Sequence, residues 1–249
     1  MQDGSENMRK TTKTSLAVAE AINDLSGATL SELSDYTGLA TSTVHTHLQT
    51  LEQLEYVVEI DGEYRLGLKL FHLGENARMR DSRYRLARQT ATELADVVNE
   101  EVNFSVEEYG RSVVLFDELG GTTHGEFQVG RYFDMHSSAS GKAMLAEFSE
   151  ARVWEIIDDR GLPEYTDNTI TDPEELFAEL STIREQGYAV NRQEELEGLR
   201  AVGMAVTEAD GSVFGALDIS SPSYRQPDDD DVASQLRPFV QELEAAVRE

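Results

Sequence analysis

The first 75 residues carry stop signals and a turn signal at spacings that admit few folds. Residues 14–25 place Leu16, Ala17, Ala19, Ala21, Ile22 and Leu25 as a helical stripe, which ends near Gly27. Thr29-Leu30-Ser31-Glu32 is a capping-box pattern, and the helix it opens stops at Gly38. Thr41 is placed to cap a third helix over 42–54, with Val44, Leu48 and Leu51 on one face. Segments 56–60 and 64–66 are strand-like, and Asp61-Gly62 between them is a hairpin turn. Three helices followed by a two-stranded wing is the order of a winged helix-turn-helix.

The remainder is mixed. A longer helix is expected over 81–98, then antiparallel strands over 102–109 and 112–119 around Gly110-Arg111. Helices follow over 140–148 and 150–159. Another starts at Asp172-Pro173-Glu174-Glu175, where a cap, a first-turn proline and acids near the dipole's positive end coincide, and runs to Gln186-Gly187. Strands over 188–192, 199–207 and 213–220, with Asp210-Gly211 turning the last two, precede a helix over 229–247. The fold class is α+β, divided as 1–76 for the winged helix, 77–98 for a linker helix and 99–249 for the second domain. Asp228-Asp229-Asp230-Asp231 reads as a solvated helix start, with a cation site as the sharper alternative.

Charge sets the next constraint. Among 249 residues there are 48 Asp plus Glu, 21 Lys plus Arg and no cysteine, a formal net charge of −27. The missing cysteine excludes disulfides, thiolate metal sites and a cysteine nucleophile. With 39% hydrophobic residues the chain can bury cores, so it is no disordered acidic tail. Residues 1–15 are polar and no stretch nears the roughly 20 apolar residues of a membrane span, so no membrane partner is expected and the cytoplasm is the expected location. Only Lys10, Lys13, Lys69 and Lys142 are lysines. Such an acid-rich, lysine-poor surface fits a halophilic protein, because in molar salt the Debye length is roughly 3 Å. An ordinary acidic cytosolic protein is the plainer alternative.

An acidic surface repels nucleic acid, but the acid is uneven. Residues 1–80 hold 7 basic and 12 acidic side chains, a net of −5, which leaves −22 for 81–249. Arg9, Lys10 and Lys13 form one basic island, and Arg78, Arg80, Arg83, Arg85 and Arg88 another. Contact with an anion and salt-bridged helix faces are both open readings of these islands.

With Val44, Leu48 and Leu51 inward, the third helix turns Ser42, Thr43, His45, Thr46 and Gln49 outward, with His47 at the margin. These hydrogen-bonding types suit base edges and phosphates. None is Arg or Lys, so charge would come from Arg9, Lys10, Lys13 and Arg65 in the wing. A polar solvated face is the alternative.

Thr29-Leu30-Ser31-Glu32-Leu33, Gly38-Leu39, Ser42-Thr43-Val44-His45, Leu48-Gln49-Thr50-Leu51-Glu52 and Tyr64-Arg65-Leu66-Gly67 resemble the DNA-binding domain of the IclR family of transcriptional regulators. His136-Ser137-Ser138-Ala139-Ser140-Gly141-Lys142-Ala143 resembles that family's effector-domain motif, as do Gly187-Tyr188-Ala189, Glu194-Glu195, Gly198-Leu199-Arg200 and Gly215-Ala216-Leu217-Asp218-Ile219-Ser220. The resemblance implies a regulator that reads a palindromic double-stranded DNA operator as a homodimer or homotetramer, through Thr41 and the outward residues above. It implies a second domain with a curved antiparallel sheet (GAF/profilin-like) and a small-molecule effector pocket at Ala139, Ser140, Asn191, Ala201, Asp218 and Ser220. Effector binding would change the spacing of two recognition helices. A metabolite- or protein-sensing module without DNA binding is the alternative.

Several positions depart from the family's usual types: Asn191 for an acid, Ala201 for a cysteine, Asp218 for a small hydroxyl residue, Thr46 for an arginine and Glu55 for a glycine. The last asks a non-glycine residue to turn the chain, where φ is expected to be positive. An acid at 218 suits a polyhydroxylated or amine-bearing effector better than another anion, unless it pairs internally with an arginine such as Arg200. Enzyme readings find little. Ser140-Gly141-Lys142 lacks the rest of a phosphate loop, no G-x-S-x-G exists, and the five histidines (45, 47, 72, 124 and 136) lack metal-ligand helical spacing. No catalysis, cofactor or metal is expected.

Overall fold

A computed structural model describes residues 8–119, 129–225 and 227–248. The chain divides into two compact units, Met1–Arg80 and Asp81–Glu249.

The first unit is α1 (Lys10–Asp24), α2 (Leu30–Thr37), α3 (Thr41–Gln53), β1 (Val57–Ile60), β2 (Glu63–Leu66) and α4 (Leu68–Arg78). Val18, Ala21, Ile22, Leu33, Val44, Leu48, Leu51 and Val57 form its core. The capping box is present, with Thr29 accepting from the Glu32 amide and the Glu32 carboxylate accepting from the Thr29 amide at 2.8 Å. Gly38 ends α2 in the left-handed region at φ 66. β1 and β2 pair antiparallel across Asp61 (φ 54) and Gly62 (φ 85), the two positive φ values that such a tight turn requires. Glu55 lies at φ 66, as expected at that departure from glycine.

Three boundaries differ from expectation. Helix α1 begins at Lys10 rather than 14, because Lys10, Thr11, Thr12 and Lys13 extend it without adding to its apolar stripe. Thr41 does not cap α3. Ala40 occupies that position, its carbonyl accepting from Thr43 and Val44, and Thr41 is the first helical residue. The single helix expected over 77–98 is two, α4 and α5 (Tyr84–Val98). The break falls where the Asp81 carboxylate accepts from the Arg83 amide at 2.9 Å, a side-chain bond that competes with helix continuation. Helix α5 packs on the sheet of the second unit.

The second unit adds β3 (Glu101–Glu108), β4 (Arg111–Leu119), β5 (Tyr132–Asp134), α6 (Ala139–Glu147), α7 (Glu150–Arg160), α8 (Pro173–Gln186), β6 (Ala189–Arg192), β7 (Leu199–Thr207), β8 (Val213–Pro222) and α9 (Asp229–Val247). The strands form one curved antiparallel sheet in the order β5-β4-β3-β8-β7-β6. One face packs on α5 and α9 through Tyr84, Phe104, Phe116 and Phe214, whose rings lie 5.4–6.3 Å apart. The other face carries α6 and α8, with a second core around Met144, Leu145, Leu176 and Leu180. Asp172 caps α8 as expected, accepting from the Glu174 and Glu175 amides. Asp228 caps α9, Asp229 pairs with Arg200 and Arg192, and Asp230 accepts from the Tyr188 hydroxyl. The acidic run is therefore a helix start with its own partners.

Candidate functional site

Two surfaces carry the sequence-predicted residues. On α3, Thr41, Ser42, Thr43, His45, Thr46 and Gln49 are exposed, while Val44, Leu48 and Leu51 are buried beneath them. The Thr46 hydroxyl donates to the Ser42 carbonyl at 2.9 Å, which leaves its oxygen free to accept. His47 does not join this face, because its Nδ1 is hydrogen-bonded to Ser15 Oγ of α1 at 2.8 Å. Arg9, Lys10 and Lys13 are exposed at the start of α1. Arg65 of the wing is ion-paired with Glu63 at 2.8 Å, so its charge is partly answered within the wing. In the second basic island Arg78 pairs with Glu75, Arg83 with Asp81 and Glu208, and Arg88 with Glu118. For these three the salt-bridged reading is the one observed.

The second surface is a recess between the sheet and the start of α6, of about 320 Å³ counted out to its open mouth. Ala139, Ser140, Asn191, Ala201, Asp218 and Ser220 all line it, together with Asn103, Ser105 and Glu195. Strand register explains the convergence: Asn103 pairs with Asp218, Ala201 with Ser220 and Asn191 with Ala201, and directly opposed residues share a face. Gly203 brings α6 against that face, since a side chain there would meet the Ala139 carbonyl carbon at 2.9 Å. Ser138 caps α6 by accepting from the Gly141 amide at 3.1 Å.

Asp218 sits at the centre and is buried. It accepts from Asn103 Nδ2 at 3.3 Å and from Ser220 Oγ at 3.0 Å. Burial pushes its pKa up to about 6, against those hydrogen bonds and with a contribution from Asp117. The arginine alternative is corrected here: Arg200 pairs with Asp229 at 2.5 Å, leaving Asp218 to the recess. Asp117 on β4 stands opposite Asn103, and burial with the neighbouring Glu118 pushes it up to about 6 as well. Burial also raises Glu195, although the Ser137 hydroxyl donates to it at 2.5 Å. Asn191 is partly committed, its Oδ1 accepting from the Glu194 amide at 2.8 Å. Among the described residues three buried side-chain oxygens have no partner: Asn103 Oδ1, Ser105 Oγ and Asp117 Oδ1. Among the described residues no arginine or lysine lines the recess.

Asn103, Ser105, Asp117 and Glu195 were not expected at the site. The available signal was the alternation Glu101-Val102-Asn103-Phe104-Ser105-Val106, which puts the three polar residues on one side of the strand. In the structure both sides of these six residues are buried.

The residues that evoke catalysis are engaged elsewhere. His136 Nε2 is hydrogen-bonded to the Pro163 carbonyl at 3.0 Å, and Lys142 Nζ donates to Glu194 at 2.7 Å. Among the described residues no three His, Cys, Asp or Glu cluster as metal ligands, and no helix is long and apolar enough to cross a membrane. His124 lies outside the described residues.

Comparison with known proteins bears on both surfaces. Residues 15–61 match the family model described as IclR helix-turn-helix domain, and residues 83–248 match Bacterial transcriptional regulator IclR C-terminal. A probable HTH-type transcriptional regulator ArcR of Halobacterium salinarum is 32% identical over 213 residues, covering 84% of this chain and 81% of its own. The regulator KdgR of Escherichia coli is 30% identical over 236 residues, covering 93% and 87%. The crystal structure of Thermotoga maritima IclR superposes with a TM-score of 0.78 at 23% identity, over 96% of this chain and 99% of that one. An IclR homologue of Microbacterium hydrocarbonoxydans, solved in complex with 4-hydroxybenzoate, gives 0.77 at 24% identity over 96% and 99%.

Proposed function

This chain belongs to the IclR family of transcriptional regulators, and from that premise we propose that a small molecule in the recess modulates its hold on a palindromic operator. The carrying observation is the convergence of six residues, from α6 and three strands, on one recess in which two buried oxygens, Asn103 Oδ1 and Ser105 Oγ, lack partners. Thr41, Ser42, Thr43, His45, Thr46 and Gln49 read the duplex, and Arg9, Lys10, Lys13 and Arg65 hold its backbone.

A single small winged helix is a weak reader, so the working form is a homodimer at least. Helix α4 buries none of its residues and leaves Leu68 and Phe71 85% and 67% exposed, a surface suited to a second copy. The relative that holds 4-hydroxybenzoate supports a small-molecule effector here, while Asp218 argues for a different chemistry. The protein works as a transcription regulator in the cytoplasm and is not an enzyme.

Footprinting on the DNA upstream of its own gene tests the reading. A protected palindrome is expected, lost in Gln49→Ala and Thr43→Ala and altered by the right small molecule. The absence of Arg and Lys from α3 favours a second reading, a sensor that does not bind DNA. No protected site at any salt concentration, with or without ligand, would decide for it.

A further inference from the structure

The recess is unusual for its imbalance of hydrogen-bonding groups. Asn103 Oδ1 and Asp117 Oδ1 can only accept, Ser105 Oγ can do either, and all three are buried without a partner. Asn103, Ser105 and Asp218 line the recess itself. Asp117, Asn103 and Asp218 stand side by side on β4, β3 and β8, so two carboxylates flank one amide. An orphaned buried acceptor has given up its water without gaining a partner, which is unfavourable. A ligand that supplies donors and positive charge removes that cost.

We propose that the recess binds a compact amine-bearing metabolite, its ammonium group seated against Asp218 and donating to Asn103 Oδ1 and Ser105 Oγ. The proposal rests on the effector reading above and specifies the ligand's class. An ammonium has three donors and no acceptor, which matches a site short of donors. A neutral polyol would donate to the orphaned acceptors but leave the two carboxylates repelling each other. A carboxylate ligand would add a third negative charge to those of Asp117 and Asp218, and among the described residues lining the recess no arginine or lysine answers it, Arg131 being paired with Glu195 at 4.0 Å. A metal ion fits poorly, because no three ligand side chains gather among the described residues. The first turn of α6, at Ala139 and Ser140, leaves amides for an oxygen elsewhere on the ligand.

Calorimetry on the full chain with a matched four-carbon series tests this: butane-1,4-diamine, 4-aminobutyrate, butane-1,4-diol and succinate, with 4-hydroxybenzoate as a fifth probe. Both amines are expected to bind, the diol at least tenfold more weakly and the acids without measurable heat. Asp218→Asn, which preserves shape, is expected to weaken amine binding at least tenfold at a melting temperature no lower than that of the wild type. Asp117→Asn is expected to weaken it less and serves as the second variant if Asp218→Asn does not fold. Tighter binding of succinate or 4-hydroxybenzoate than of the amines overturns the proposal. So does amine affinity that neither substitution changes, or silence from both amines at millimolar concentration. Footprints with the same compounds separate the two readings. An acid that binds and shifts operator protection keeps the regulator and sinks the amine, whereas an amine that binds without shifting any footprint does the reverse.

Discussion

Lys142 on α6 and Glu194 in the β6–β7 connection form an ion pair at 2.7 Å, and the lysine has no exposed surface. The same ammonium donates to the Val190 carbonyl at 2.7 Å, and the Glu194 backbone carbonyl accepts from the Thr169 hydroxyl at 2.6 Å. The pair therefore ties the helix that floors the recess to the loop that brings Asn191 and Glu195 into it. Removing one partner leaves a buried charge uncompensated, at a cost of about 3–5 kcal/mol. Lys142→Met should lower the urea-unfolding free energy by that order, and Lys142→Met with Glu194→Leu should recover much of it. Additive losses in the double variant would show that the two residues do not act as a pair.

Glu55 occupies the left-handed region at φ 66, between α3 and β1. A glycine carries no Cβ penalty there, whereas a non-glycine residue stores roughly 1 kcal/mol of strain. The ion pair that Glu55 makes is long, 3.8 Å to Lys69, and exposed, so little is lost with it. Glu55→Gly is expected to stabilise the winged helix by somewhat under 1 kcal/mol in thermal unfolding. A lower melting temperature would show that the side chain does more than its contacts indicate.

Asp218 makes a pH-dependent contribution of unusual sign. Burial raises its folded pKa to about 6, well above the usual carboxylate value, so the folded state holds the proton more tightly than the unfolded chain. That stabilisation is complete below the unfolded value and is lost as pH rises through about 6. Among the described residues Glu101, Asp117 and Glu195 face the same region, Arg131 being paired with Glu195 at 4.0 Å, and Asp117 adds repulsion, so the loss is not restored at neutral pH. Relative to Asp218→Asn, the unliganded wild type should lose on the order of 2–3 kcal/mol between pH 4 and pH 7. Denaturant titrations of both proteins across that range would check this. Parallel pH profiles would mean that Asp218 is not buried as described.

Much of the fold was legible because its signals are local. The Thr29/Glu32 box, the Asp61-Gly62 turn and the Asp172 cap each satisfy backbone groups within a few residues, so sequence alone carries them. Helix α4 was missed because its 11 residues bury nothing and so show no core-facing stripe. The six residues first placed at the recess came from family resemblance, whereas Asn103, Ser105 and Asp117 needed the register of three strands. Whether a polar strand residue faces water or a cavity depends on what α6 covers, and that is a tertiary fact.

Phe71 is the side chain on α4 whose exposure least suits an isolated chain, with Leu68 one turn before it. If α4 meets a second copy, Phe71→Glu places a charge in an apolar contact. Sedimentation should then show the dimer shifted toward monomer at micromolar concentration, with an unchanged circular dichroism spectrum. A dimer that survives the substitution would place the interface elsewhere.

Salt should act on this protein's DNA binding less than on most. Each phosphate neutralised by a lysine or arginine contributes a slope of about −0.9 to log affinity against log salt. The reading helix offers no cation, Arg65 is already paired, and Arg9, Lys10 and Lys13 are the exposed cations at the start of α1. Counterion release therefore limits the slope to about −3 for each winged helix. The formal charge of −27 adds repulsion at low salt that screening removes. Operator affinity is expected to be weak in dilute buffer, with almost no nonspecific binding. Toward molar salt the fall should be shallower than that limit, because relief of this repulsion opposes counterion release while hydrogen bonds and DNA shape sustain the complex. Fluorescence anisotropy from 0.1 to 2 M potassium chloride would measure this. A steep monotonic fall across that range would mean that backbone charge, and not the neutral face of α3, carries the complex.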